Sequence, residues 1–159
     1  IKHICNRRRV FVETALFAKG AAMKAEEYLN ESDSPSFVCL CEGKLWSTVS
    51  MEVMKRDAKS ELVLASAGES WYEARSVVEV IPDGEGEITF TITPQQEPKK
   101  KHQVKVTLDG FPERPNKTTH SLVALRFLDE KTMVVKLTDQ GFGELFPKTD
   151  AVVRQEVTL

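Results

Sequence analysis

The chain has 159 residues, 41% of them hydrophobic and 29% charged, which supplies one sizeable core and excludes a disordered or fibrous chain. Its 22 Lys and Arg stand against 24 Asp and Glu, a formal net charge of −2, so no long-range field draws it onto nucleic acid or an anionic membrane. No signal peptide is expected from these residues and they hold no apolar run of about 18 residues or more, and three cysteines are too few for a disulfide framework, so a reduced compartment, the cytoplasm, is expected.

The chain begins with Ile rather than Met and is expected to be a piece of something longer. Arg7-Arg8-Arg9 and Lys99-Lys100-Lys101 are far apart and without interleaved aromatics, and read as solvated surface. Residues 14 to 29, TALFAKGAAMKAEEYL, predict a helix with Ala18, Ala22, Ala25 and Leu29 on one face. That small-residue stripe and Gly20 would suit close packing on a partner. NESDSPS, residues 30 to 36, reads as a polar break, and FVCLC, residues 37 to 41, is a short apolar run closed by Glu42-Gly43.

From there the period changes to two. KLWSTVSMEV (44 to 53) sets Leu45, Val49, Met51 and Val53 on one face; ELVLA (61 to 65) is continuously apolar; ARSVVEVI (74 to 81) is rich in valine. EITFTI (87 to 92) and HQVKVTL (102 to 108) alternate cleanly, and SLVALRFL (121 to 128), TMVVKL (132 to 137) and VVRQEVTL (152 to 159) bring the count to about eight strands. Short strands separated by turn clusters such as PDGEGE and DQGFGE predict a mainly β fold, an antiparallel β-sandwich with one N-terminal helix. LDGFPERPNK (108 to 117) carries two prolines that cannot donate to a ladder, so it is expected to be a corner between one sheet edge and the next.

Chemistry-bearing patterns are absent. GEGE and GFGE are not followed by Lys-Ser/Thr and read as turns rather than phosphate-binding loops. No serine sits in a nucleophile-elbow setting and no carboxylate pair is singled out. Cys5, Cys39 and Cys41 with His3, His102 and His120 give no metal-ligand spacing. A non-catalytic chain with no cofactor or metal is expected.

One stretch is more specific. VTLDGFPERPNKTTHSLVALRFLDEKTMVVKLTDQGFGE, residues 106 to 144, resembles the second half of the peptide-binding β-sandwich of the DnaK-type heat-shock chaperones. In that family a strand ends in a Leu-x-Gly corner with spaced prolines. A long strand ending in an acidic turn, a strand ending in Asp, a glycine turn and a final strand follow. Leu108, Gly110, Pro115, Phe127, Asp129, Val135, Asp139 and Gly143 occupy those places. ALFAKGAAMKAEEYL, with Gly20-Ala21-Ala22, is similar to the last helix of the family's actin-like ATPase domain, and FVCLC to its interdomain linker, here Phe37, Val38, Cys39, Leu40 and Cys41.

The resemblance implies three regions: an ATPase-end helical segment over 1–31, a linker over 32–43 and a substrate-binding sandwich over 44–159. It also implies binding of an extended apolar polypeptide by backbone hydrogen bonds and a central pocket, to which Met51, Met54, Val78, Ile88 and Phe90 would contribute. Methionine suits a tolerant pocket. A buried leucine is worth roughly 1.5–3 kcal/mol and each hydrogen bond about 0.5–1.5, against an association cost of at least about 4; micromolar affinity, near −8 kcal/mol, is the expectation.

KRDAK, residues 55 to 59, replaces the family's glycine-rich arch and is expected to reshape the channel. The family's lid and the rest of its ATPase domain are not in this sequence, so fast release and no nucleotide cycle are expected of this piece alone. The expected partners are apolar polypeptide segments, the chain's own ATPase domain, and a second copy through the 37–41 run; nucleic acid and membrane are not expected. The residues themselves leave a second reading open, a structural or interaction sandwich that binds no client. Met51, Met54 and Phe90 would be partly exposed in a groove under the first reading and sealed in the core under the second.

Overall fold

A computed structural model describes residues 14–30, 38–84 and 86–159. His3, Cys5, Arg7-Arg8-Arg9, Phe37 and all of the polar break beyond Asn30 lie outside the described residues. Contacts divide the chain after residue 37, so the described part of the expected linker, from Val38, belongs with the sandwich.

The N-terminal unit contains α1 (Leu16–Leu29). No side chain caps its start, and Ala15 before it holds a left-handed φ of 65°. Ala18, Ala22, Ala25 and Leu29 are exposed, and a Cβ on Gly20 would meet nothing within 4 Å. No described helix is long and apolar enough to cross a membrane.

The second unit is an antiparallel β-sandwich of eight strands: β1 (Ser47–Lys55), β2 (Ala58–Ala65), β3 (Arg75–Val80), β4 (Glu87–Pro94), β5 (His102–Thr107), β6 (His120–Phe127), β7 (Thr132–Gly141) and β8 (Val152–Thr158). They form one sheet in the order β2-β1-β4-β5 and another in the order β3-β6-β7-β8. Period-two alternation decides what lies between them. The first sheet sends in Val49, Met51, Ile88, Phe90, Ile92 and Val106, and the second Val123, Leu125, Phe127, Met133, Val135 and Leu137. Outward positions on β4 are Thr89, Thr91 and Thr93, so that face is polar.

Two differences from expectation have clear physical reasons. β7 runs four residues past Leu137, because Thr138, Asp139 and Gly141 pair with β6 and Thr138 also with β8. The LDGFPERPNK corner leaves β5, an edge strand, but enters β6, which is interior to its sheet. It therefore crosses between sheets rather than from edge to edge. Gly110 turns it with φ +83°, and the Phe111 N–H donates to the Leu108 carbonyl at 3.0 Å.

KRDAK is a tight hairpin. Lys55 pairs with Ala58, and the two residues between, Arg56 and Asp57, both hold positive φ, 52° and 63°. That geometry is a two-residue turn suited to Asn-Gly, and an arginine there is strained. The double substitution R56N/D57G is expected to stabilise the sandwich by about 1 kcal/mol, a rise of about 3–6 °C in a thermal melt.

Candidate polypeptide-binding site

The first sheet is split along part of its length. β1 and β4 pair at Ser47↔Pro94, Thr48↔Thr93, Val49↔Ile92 and Ser50↔Thr91, and there the pairing stops. β1 nevertheless runs on to Lys55, held only by β2, and β4 has already run from Glu87, held only by β5. Residues 51–55 and 87–90 thus face each other with backbone donors and acceptors that no strand takes up. Continuing the register would have set Met51 opposite Phe90, Val53 opposite Ile88 and Met54 opposite Glu87.

Four of the five sequence-predicted residues therefore flank one feature, with unequal exposure. Phe90 is 0% exposed, Met51 3% and Ile88 6%, so they form a closed floor and not an open pocket. Met54 is 63% exposed, because it has the opposite parity on β1 and points out of the sheet. Val78 is half-buried on β3 of the other sheet, opposite Val123, and takes no part in the split. The outer rim is charged: Lys59 pairs with Glu52 at 2.7 Å and Lys105 with Glu87.

The linker residues are placed by contacts with the sandwich. Val38 and Leu40 are half-buried while Cys39 and Cys41 are exposed. Gly68, φ +89°, leaves room for Val38, whose Cγ1 would be 2.6 Å from any Cβ placed there. The Gly43 N–H donates to the Glu130 carboxylate, and the Trp71 N–H donates to the Gly43 carbonyl at 3.2 Å. Hydrogen bonding with Cys39 pushes the Cys41 thiol above its ordinary range, ahead of desolvation. That is the reverse of what an activated or metal-binding thiolate requires.

Sequence reasoning missed the best-built polar cluster. Arg114, from the corner, donates to both oxygens of Asp139 at 2.7 and 2.8 Å and to the Pro147 carbonyl at 2.8 Å. Asp139 also accepts from the Gly141 N–H at 3.0 Å and from the Thr149 N–H and hydroxyl at 3.0 and 2.7 Å. The two charged side chains are 5% and 0% exposed. Burial raises the Asp139 pKa, but the Arg114 and Thr149 bonds and the backbone donors outweigh it and hold it down to about 2. Both carboxylate oxygens and both terminal guanidinium nitrogens have partners, so the cluster is a clasp joining the corner to the β7–β8 connection rather than a reactive site. An aspartate in line with Met133, Val135 and Leu137 on an inward face was the signal for it.

Two clefts lie elsewhere. One of about 420 Å³ is lined by Trp71, Glu130, Lys131 and Thr158 among others. The other, about 300 Å³, lies along the corner beside Phe111, Arg114 and Asn116.

Residues 44–159 match the family described as Domain of unknown function (DUF8552). Residues 1–42 match the C-terminal part of the Family of unknown function (DUF5716). No curated protein matches the chain.

Proposed function

We propose, for a chain that belongs to the family described as Domain of unknown function (DUF8552), a non-catalytic polypeptide-binding role. In this reading the sandwich is a divergent relative of the DnaK-type chaperone substrate domain. The observation that carries it is the split between β1 and β4. An extended segment entering there would pair with residues 51–55 on one side and 87–90 on the other, as a strand added to a sheet. The order of elements from the Leu108-Asp109-Gly110 corner through β6, the Asp129-Glu130 turn, β7 and β8 supports the same kinship.

The energetics set a condition. Backbone pairing alone, about four to six hydrogen bonds at about 1 kcal/mol each, barely exceeds an association cost of at least about 4 kcal/mol. Micromolar binding, near −8 kcal/mol, needs a peptide side chain to enter the floor between Met51 and Phe90. Those two sit on strands that share no hydrogen bond at that row, so parting them breaks no ladder.

A second reading has its own observation. Met51 and Phe90 are sealed in the core, as expected of an interaction sandwich that holds no client, while Met54 is exposed. An anisotropy titration of a labelled peptide with a central leucine flanked by arginine, with hydrogen exchange on the complex, separates the two. The polypeptide-binding reading expects saturable micromolar binding, protection of amides in 51–55 and 87–90, and loss of binding when alternate peptide amides are N-methylated. A flat titration of the folded chain would leave the interaction sandwich standing.

A further inference from the structure

The outer faces of the two sheets carry charge in opposite ways. On the first, Glu52 lies opposite Glu61, but each carboxylate is answered, Glu52 by Lys59 at 2.7 Å and Glu61 by the Ser50 hydroxyl at 2.6 Å, and Lys105 pairs with Glu87. On the second, the register sets Arg75 opposite Arg126 and Lys136 opposite Arg154. Like charges directly opposite across a ladder destabilise it, so the fold does not account for either pair. Arg154 approaches Glu156 at 3.7 Å, while Arg75, Arg126 and Lys136 make no ion pair among the described residues.

Apolar side chains occupy the same rows. Val77, 63% exposed, lies opposite Ala124, which lies opposite Lys136. Val134, between Arg126 and Glu156 in its row, is only 2% exposed, so the accessible aliphatic surface lies at Val77 and the half-buried Ala124. The face is therefore cationic with aliphatic gaps, on a chain whose formal net charge is −2.

We infer that the outer face of β3-β6-β7-β8 is a docking surface for an acidic, leucine- or valine-spaced segment of a partner protein. Its carboxylates answer the two cation pairs, and its aliphatic side chains lie on Val77 and Ala124. Charge complementarity of this kind fixes partner choice and encounter rate. Glu79 and Glu156, exposed on the same face, oppose a continuous phosphate backbone or an anionic lipid surface. The face belongs to the sheet that does not contain the split, so the inference does not depend on the polypeptide-binding reading.

The test uses the full chain and a fluorescein-labelled peptide of alternating glutamate and leucine. An alternating lysine and leucine peptide, a short single-stranded DNA and phosphatidylglycerol vesicles are the comparisons. R126E and K136E each turn a like-charged pair into an opposite one, so the double variant is expected to melt at the wild-type temperature or above. It is expected to bind the acidic peptide about tenfold more weakly or worse, with R126Q/K136Q between the two. Wild-type binding should also weaken as salt is raised. No binding of the acidic peptide, equal binding of the basic one, tighter binding of DNA or vesicles, or charge variants that bind like the wild type would each overturn the inference.

Discussion

R114M is expected to cost about 3–5 kcal/mol of stability, because it leaves Asp139 as a charge inside the protein without its guanidinium. The geometry sets that magnitude. Arg114 makes two short bonds to one carboxylate with both side chains almost fully removed from water, so neither partner can fall back on solvent. R114M/D139L removes both charges and is expected to lose less than the sum of the two single changes. It will not recover wild-type stability, because the Gly141 and Thr149 donors also lose their acceptor. Urea denaturation of the four proteins gives the coupling directly; strict additivity would mean that the pair acts as two independent groups.

The same clasp gives a pH dependence of definite sign. Asp139 titrates at about 2 in the folded protein against an ordinary 3.8. Its folded pKa is depressed, so its contribution is fully present above about pH 5 and is lost as pH falls through 3.8 toward 2. The difference corresponds to about 2 kcal/mol. Stability of the wild type should therefore fall more steeply than that of D139N between about pH 5 and pH 2. Parallel curves over that interval would remove Asp139 as the source.

How far these features could be read from the sequence depends on the range of the interaction that fixes each. The helix and the eight strands are local: apolar residues at spacings of three and four, then at two, decide which face each residue takes. Parity along β1 already separates Met54 from Met51 and Val53, so its exposure was legible. Which sheet Val78 joins is a matter of crossover topology, and the alternation of RSVVEV reads the same on either. The extension of β7 was hidden because Thr138-Asp139-Gln140-Gly141 has turn composition. Arg114, twenty-five residues earlier in the chain, together with the Thr149 and Gly141 donors makes an aspartate tolerable on that inward face. The split is beyond sequence altogether, since SMEVM and EITF carry the same alternation whether or not their backbones meet.

Phe90 brings stability and function to one residue. At 0% exposure in the centre of the first sheet's inner face, F90A removes a full aromatic side chain from a packed core and is expected to cost about 3–5 kcal/mol. That corresponds to a fall in melting temperature on the order of 10–20 °C. F90D should not fold, because a lone carboxylate there has no partner. M54A, at an exposed position on the same split, should lie within about 0.5 kcal/mol of the wild type. The contrast decides how the floor is used. A volume-conserving F90L is expected to cost less than F90A while changing the shape of the floor beneath the split. If a peptide side chain enters between Met51 and Phe90, F90L alters peptide affinity beyond what its stability loss explains, and M54A does not. If affinity for an extended peptide is the same in F90L as in the wild type, the floor is core alone, and only the unpaired backbone of 51–55 and 87–90 is left to bind.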